Sequence, residues 1–174
     1  MPEAVKAGTV DRIDFAEVVR EHQAMVFSIA YHFLHDRPAA EELAQDVFLQ
    51  LYRNLGGLES PEHVTHWLRR VTANRCIDVC RRRKLMPRIG LDQIPEPSSP
   101  AGVADPLLER RLRQLVASLP EKWRALVILR YQEDLDNEEI AALLEMPVGT
   151  VKSQLSRALD LLREKASRFL GEVE

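Results

Sequence analysis

Residues 137–166, NEEIAALLEMPVGTVKSQLSRALDLLREKA, decide how the rest of the chain is interpreted. The pattern predicts two helices joined by a tight turn, the first running roughly from Glu138 to Leu144. Ile140, Ala141 and Leu144 are its expected packing face, and Pro147-Val148-Gly149 forms the turn. The second helix carries apolar residues at spacings of four and four: Val151, Leu155 and Leu159. This arrangement is typical of a helix-turn-helix, whose second helix suits a DNA major groove.

The polar side of the second helix carries side chains of the types that contact phosphates and base edges. Opposite the apolar stripe, and near the start of this helix, lie Thr150, Lys152, Ser153, Ser156 and Arg157. An ordinary helical hairpin with a polar outer face fits the same spacing. The pattern alone therefore leaves both interpretations open.

Upstream segments also have helical periodicity. Apolar residues recur with a helical period from Phe15 to Phe33, and Asp11 or Asp14 could cap this helix. Pro38 suits the first turn of the next helix, whose predicted buried face includes Leu43, Val47, Leu51 and Leu55, widened by Phe48 and Tyr52. Gly56-Gly57 is expected to end this helix in the left-handed conformation.

The remaining segments complete an all-α prediction. Residues 66–84 form a third helix, and residues 107–119 and 121–131 form two more. Residues 85–106 hold five of the ten prolines and show no helical or strand period, which is typical of a linker. We therefore predict two small helical domains, 11–84 and 107–170, joined by this Pro-rich linker (85–106) and preceded by a flexible N terminus (1–10).

Composition bounds the class of protein. The chain has 174 residues, 45% hydrophobic and 29% charged, which excludes a disordered or collagen-like chain. We find no apolar run long enough to span a bilayer and no signal peptide at the N terminus. Two cysteines cannot form a disulfide framework and fit a reducing compartment. These features together predict a cytoplasmic chain with no membrane insertion.

The net charge of −3 conceals an uneven distribution. As a whole-chain value it argues against a nucleic-acid binder, whose pI usually lies above about 9. However, residues 11–59 carry nine acidic and four basic side chains, whereas residues 60–90 carry two acidic and eight basic ones. The basic block favours a surface that contacts phosphates. The alternative is a solvated helix with no ligand, whose basic C-terminal end complements the helix dipole.

The cysteines and the nearby histidines are not interpreted as a functional site. Cys76 and Cys80 lie four residues apart, with His63 and His66 upstream, and these are metal-ligand types. Cysteine is more often a small buried hydrophobe, and two cysteines on one helix are poorly placed for a disulfide. We find no nucleophile triad, phosphate loop or paired carboxylates. The expectation is therefore no enzyme activity, no metal site and no cofactor.

Two motif blocks resemble one family. LPEKWRALVILRYQEDLDNEEIAALLEMPVGTVKSQLSRAL resembles region 4 of the extracytoplasmic-function (ECF) sigma factors of the sigma-70 family. AAEELAQDVFLQLYRNL and WLRRVTANRCIDVCRRR resemble region 2 of the same group. The order of the blocks and the Pro-rich tether also match, over about residues 12–168. The resemblance implies a subunit that directs core RNA polymerase to promoters and assists their opening.

The resemblance also assigns roles to residues. Region 2 implies a face that docks on the β′ clamp helices of core polymerase: Glu42, Gln45, Asp46 and Leu49. It implies contacts with the −10 element from Trp67, Arg69, Arg70, Asn74, Arg75, Asp78, Arg81 and Arg82. The loop at residues 58–64 would capture a flipped base. In region 4, the reader of the −35 element would use Thr150, Lys152, Ser153, Ser156 and Arg157.

Implied partners are core RNA polymerase, through the β′ clamp helices and the β flap, promoter DNA and an anti-sigma factor. Three departures affect details. The loop before Trp67 lacks the Arg-Gly of many relatives, Glu145 replaces a common turn glycine, and Gln154 replaces a frequent basic residue. A stand-alone helix-turn-helix regulator is the alternative, but we see no dimerisation segment for paired half-sites. A helical adaptor that binds only proteins would leave the basic block without a purpose.

Overall fold

The computed structural model describes residues 13–85 and 106–171, and every regular element in these two ranges is helical. An N-terminal bundle consists of α1 (Phe15–Leu34), α2 (Arg37–Asn54) and α3 (Pro61–Leu85), with a 3-10 turn at Leu55–Gly57. A C-terminal bundle consists of α4 (Pro106–Ala117), α5 (Glu121–Tyr131), α6 (Asn137–Leu144) and α7 (Val148–Gly171). The all-α prediction is confirmed. The predicted N terminus (1–10) and residues 86–105 of the predicted linker lie outside the described residues.

Aspartates begin three of the helices, because an N-cap carboxylate accepts the amide hydrogens that the first turn leaves unpaired. Asp14 accepts from the Ala16 amide at 3.0 Å and is the N-cap of α1, whereas Asp11 lies outside the described residues. Asp36 caps α2 through the Ala39 amide at 3.1 Å, with Pro38 in the first turn as predicted. At α6, Asp136 and Glu139 form a reciprocal capping box with both bonds at 2.8 Å.

The core of the N-terminal bundle forms where α1, α2 and α3 meet. Leu43, Val47 and Leu51 are buried there as predicted. The prediction for Tyr52 was wrong, since this residue is 66% exposed and only touches Phe15 edge-on. The expected left-handed glycine cap is also wrong. Leu55 follows α2 with right-handed helical angles, and the chain leaves through the 3-10 turn.

The C-terminal bundle closes around α5, whose apolar residues are almost all buried, among them Leu126, Ile128 and Leu129. In α6, Ile140 and Ala141 are buried as predicted, but Leu143 is the third packing residue and Leu144 is only partly buried. Residues 143 and 144 both lie within one turn of Ile140 on its side of the helix, so spacing alone does not distinguish them, and Leu144 still packs against the C-terminal core.

The two bundles pack against each other, which the sequence pattern of two tethered units did not predict. Ala125 and Ile128 of α5 are part of the N-terminal core. Conversely, Ala73 of α3 is part of the C-terminal core. The helices in contact across the interface are mainly α1 and α3 on one side and α5 and α6 on the other. Among the described helices, none is long and apolar enough to cross a membrane.

Candidate nucleic-acid and protein interfaces

The acidic face of α2 is available to a partner. Glu42, Gln45, Asp46 and Leu49 are all exposed, with Leu49 at 56%. Their positions follow from the helical period, because Leu43, Val47 and Leu51 turn the opposite face into the core. This puts carboxylates and amides beside one large apolar side chain, a composition suited to a protein partner.

An apolar groove between α1 and α2 extends this face. It has a volume of about 770 Å³, and its walls include Phe15, Val19 and Phe27 of α1 and Phe48 of α2. Glu41, Gln45 and Leu49 line its α2 rim. We use the name docking face for Glu42, Gln45, Asp46 and Leu49 together with this groove. Exposed apolar grooves with polar rims are typical of protein interaction sites.

The stripe of α3 that faces away from the core carries one part of the predicted −10 set. Asn74, Asp78 and Arg81 follow one another at spacings of four and three, so they share a helix face. Asn74, Asp78 and Arg81 are exposed, and Arg82 is exposed beside them. These residues can therefore reach a ligand along about two turns of the helix.

Arg75 connects the docking face to α3. Its guanidinium donates to the Gln50 side-chain oxygen at 2.9 and 3.2 Å and lies 3.6 Å from Asp46. A polar groove between α2 and α3, of about 620 Å³, has Glu42 and Asp46 on one wall and Asn74 and Arg82 on the other. The predicted polymerase-binding and −10 sets therefore meet in one groove, which the sequence did not reveal.

Three members of the −10 set do not join that exposed stripe. Trp67 is partly buried and packs against the N-terminal core. Arg69 lies on the side facing the C-terminal bundle, with its Nε 3.6 Å from Glu133. Arg70 reaches the same bundle, where its guanidinium lies 2.7 Å from the Glu145 carboxylate. In this arrangement, Arg69 and Arg70 bind carboxylates of the same chain.

The predicted −35 set lies on the exposed face of α7. Lys152, Ser153, Ser156 and Arg157 are exposed and Thr150 is partly exposed, whereas Val151, Leu155 and Ala158 are buried against the bundle. The Ser153 hydroxyl donates to the Thr150 carbonyl at 3.1 Å. The Gln154 side-chain oxygen is buried without a hydrogen-bond partner in the described residues, so this residue faces the protein.

The turn between α6 and α7 has the left-handed backbone conformation that is expected where glycine is common. Glu145 ends α6 at φ 54° and ψ 47°, the left-handed region, and its amide donates to the Ala141 carbonyl. A residue with a β-carbon costs about 1 kcal/mol more than glycine in such a conformation. Glu145 is therefore a strained choice for this turn, and its side chain is the one that pairs with Arg70.

Arg124 is a buried residue at the contact between the two bundles that sequence reasoning missed. Its side chain is 8% exposed and donates to the Phe33 carbonyl at 3.1 Å, to Cys80 Sγ at 3.4 Å and to the Leu119 carbonyl at 3.3 Å. It also bonds the Ala117 carbonyl and stacks 5.3 Å from the Phe33 ring. An arginine inside the apolar run WRALVIL was the available signal, because a buried charge requires several partners.

The cysteines are structural in this arrangement. Cys76 and Cys80 are free and buried, and burial raises the pKa of both thiols. The ordinary reactive form of a cysteine is the thiolate, which a raised pKa disfavours. In residues 13–85 and 106–171 we find no cluster of three or more metal-ligand side chains.

Comparisons with known proteins identify two family regions, one in each bundle. The family model described as Sigma-70 region 2 matches residues 18–85, and the one described as Sigma-70, region 4 matches residues 109–162. A solved relative in fold is the sigma factor RpoE of Bartonella quintana in complex with the anti-sigma factor NepR. It has a TM-score of 0.72 at 21% identity and covers 87% of this chain and 95% of that one.

Curated relatives are similar over most of the chain. ECF RNA polymerase sigma factor SigW of Bacillus subtilis is 30% identical over 178 residues, which cover 92% of each protein. ECF RNA polymerase sigma factor SigE of Mycolicibacterium smegmatis is 32% identical over 90% of this chain, which spans 63% of that relative's length. Two regions in order and a relative matched over 92% of both chains lead to one conclusion: the chain belongs to the ECF group of the sigma-70 family of RNA polymerase sigma factors.

Proposed function

We propose that this chain binds core RNA polymerase through the docking face, contacts the opened −10 strand with the exposed stripe of α3, and reads the −35 duplex with α7. The observation that carries the proposal is that the acidic and basic faces lie on adjacent helices and meet in one groove. A subunit that couples polymerase to promoter opening needs both faces within reach of one another.

The docking face supplies the polymerase contact. Its carboxylates are exposed, and its apolar groove provides area that a protein helix can bury. Opposite charge steers association and orients the partner, while the apolar contact supplies most of the affinity. The C-terminal bundle would contact the polymerase at the β flap, as the family resemblance implies.

DNA contacts divide between two chemical tasks. Arg81 and Arg82 are exposed cations suited to the phosphates of the separated strand, and Asn74 offers an amide for a base edge. On α7, Lys152 and Arg157 flank two serine hydroxyls near the start of the helix, a set suited to the major groove. The chain acts as a specificity subunit of polymerase in the cytoplasm, and it carries out no catalysis itself.

An anti-sigma factor is the expected regulator. The solved RpoE of Bartonella quintana is bound to the anti-sigma factor NepR, and its fold matches this chain over both bundles. The docking face is the surface on which such a factor would compete best, since covering it blocks polymerase binding. Its identity is not specified by any residue of this chain.

Reconstitution tests the proposal directly. Purified chain added to core polymerase should start transcription at defined positions on genomic promoter fragments, which core alone does not do. Replacing Glu42 and Gln45 by lysine should abolish this activity by reversing the charge of the docking face. These residues are preferable to Asp46, because Asp46 also contacts Arg75.

A matched control carries the same change of charge elsewhere. Glu164→Lys with Ser167→Lys alters exposed residues at the far end of α7 and should leave transcription nearly unchanged. Normal affinity of the Glu42→Lys/Gln45→Lys variant for core polymerase would contradict the docking assignment. Tight promoter-specific binding by the free chain, without initiation on addition of core, would favour a stand-alone regulator instead.

A further inference from the structure

Carboxylates of the C-terminal bundle are distributed along the basic helix α3. Glu145 lies 2.7 Å from Arg70, Glu133 lies 3.6 Å from Arg69, and Glu121 lies 2.5 Å from Lys84. At a rise of 1.5 Å per residue, these contacts extend over about 22 Å of the helix. The negative charges come from three separate places in the bundle: the start of α5, the turn after α5 and the turn after α6.

Glu145 is the most informative of the three. It holds the left-handed position that glycine fills at lowest cost, at φ 54°. Its side chain is 67% exposed, so burial does not require a glutamate here. The contact with Arg70 is the interaction in this arrangement that glycine could not make. The strained turn residue therefore serves the interface between the bundles.

Glu133 also pairs with an arginine of α3, but its side chain is largely buried. Its side chain is 9% exposed, and burial raises the pKa of its carboxyl, while the charge of Arg69 acts in the opposite direction. A carboxylate that is removed from water needs a nearby cation. Arg69, itself only 26% exposed, is that cation.

The ion pairs border a specific apolar contact. Ala73 of α3 packs in the C-terminal core, Ala125 and Ile128 of α5 pack in the N-terminal core, and Arg124 bonds the Phe33 carbonyl. These buried contacts hold the bundles together, and the ion pairs of Arg69 and Arg70 lie on the same part of α3. The covered part of α3 includes the N-terminal third of its basic block.

From this geometry, we propose that the C-terminal bundle is an internal competitor of promoter DNA: Glu133 and Glu145 occupy Arg69 and Arg70, which the opened −10 strand would otherwise contact. The inference rests on the proposed function in assigning these arginines to DNA. Its occupant is a segment of the same chain, and its carboxylates take the positions of phosphates. Release of the bundle frees both arginines together.

The competition has a physical basis in how the two ligands bind arginine. A guanidinium forms the same charge-assisted hydrogen bonds with a carboxylate as with a phosphate. A DNA strand offers one phosphate per nucleotide and releases counterions on binding, so it can displace isolated carboxylates once it is held nearby. Polymerase would hold it nearby, since binding of the docking face and of DNA places the strand along α3.

The first measurement is the distance between the bundles, which does not depend on the DNA roles. Spin labels are placed on the full chain at Arg53→Cys in α2 and Asp160→Cys in α7, both exposed positions. The native cysteines are buried, and burial raises the pKa of their thiols, so labelling is selective for the introduced ones. Glu133→Gln with Glu145→Gln should lengthen and broaden the distance distribution, and an unchanged distribution would overturn the proposal.

The second measurement uses a 20-nucleotide oligo(dT) strand as the probe. The unlabelled Glu133→Gln/Glu145→Gln chain should bind it about tenfold more tightly than the original chain, because neither carboxylate then competes for its arginine. Glu17→Gln with Glu21→Gln is the matched control, because it removes the same number of carboxylates at exposed positions of α1. Equal gains in both variants would show a general charge effect and overturn the competition.

Exchanging the charges of Arg70 and Glu145 distinguishes loss of this ion pair from a general loss of stability. Arg70→Glu should open the bundles, and adding Glu145→Arg should close them again by restoring the pair with reversed polarity. Failure of the second change to restore the distance would contradict a direct Arg70–Glu145 contact. If the bundles open but oligo(dT) binding is unchanged, the competition is overturned, while promoter-specific transcription with core polymerase remains a separate test of the proposed function.

Discussion

Helices α3 and α7 are both proposed to contact DNA, yet the chain treats their cations differently. On α3, Arg69 is 26% exposed beside a buried glutamate, Arg70 pairs with Glu145, and Arg75 is held by Gln50. On α7, Lys152 Nζ lies 3.6 Å from the carboxylate of Glu138, which is itself exposed. Arg157 forms no ion pair within residues 13–85 and 106–171. Under the proposed roles, α7 would be ready to read a duplex, whereas part of α3 would first have to be released.

The difference has a physical logic. A −35 element is ordinary duplex, so its reader can be permanently exposed without any cost in conformational change. The −10 strand exists only after the duplex opens, and an always-exposed row of arginines would bind nucleic acid without regard to sequence. Internal carboxylates therefore suit α3 and would hinder α7.

Arg124→Met should have the largest effect, because it removes the buried anchor of the interface that distinguishes α3 from α7. The change leaves the Phe33 and Leu119 carbonyls without this donor, and we expect a loss of about 3 kcal/mol in the free energy of unfolding. Urea unfolding monitored by circular dichroism measures it. Arg163→Met, at a side chain 74% exposed, is the control and should change stability little. Comparable losses in the two variants would show that Arg124 is not an anchor.

Acidification should weaken the same junction next. His35 ends α1 beside Arg124, and burial first, then the charges of Arg124, His32 and Arg113, lower its pKa from 6.5 to about 4. The unfolded chain therefore takes up a proton between pH 6.5 and 4 that the folded chain refuses, so stability falls as the pH drops through this window. Between pH 7.5 and 5 we expect a loss of about 2 kcal/mol from this group.

His35→Asn isolates that contribution. His35 has φ 51°, and asparagine tolerates the left-handed region without titrating near neutral pH. The urea midpoint of this variant should vary less between pH 7.5 and 5 than that of the original chain. An identical pH dependence in both chains would assign the effect to other groups.

On α7, Arg157→Ala should weaken binding without a matching loss of stability, because the side chain is exposed. We expect a loss of about 1 kcal/mol, or fivefold in affinity, for a −35 duplex bound by the assembled polymerase. Footprinting over a salt series measures it, with Arg163→Ala further along α7 as the control. Unchanged protection of the upstream element would remove Arg157 from the reading face.

The sequence predicted local features well and the interface poorly, for identifiable reasons. The buried stripe of α2 and the Asp14 cap follow from spacing and backbone chemistry within a few residues, and the family resemblance identified the Glu145 turn. The packing of Ala73 and Ala125 across bundles depends on contacts between distant segments, which no local period encodes. Arg75 illustrates the limit: its charge predicted a ligand, but only the structure shows that Gln50 holds it.

The smallest effect should come from Gln50→Ala, which tests whether α3 can be made more like α7 at a single residue. Gln50 accepts two hydrogen bonds from Arg75, which is partly exposed, so their loss should cost about 0.5–1 kcal/mol of stability. Arg75 would keep only Asp46, 3.6 Å away, and would turn more freely toward solvent. Binding of oligo(dT) by the free chain should then increase slightly, by about twofold, since one more cation becomes available.

Asn54→Ala is the matched control, because its amide bonds the Gln50 carbonyl in the same helix and does not touch Arg75. Weaker oligo(dT) binding in Gln50→Ala than in Asn54→Ala would show that Gln50 orients Arg75 for DNA rather than restraining it, and the contrast between α3 and α7 would then rest on Arg69 and Arg70 alone.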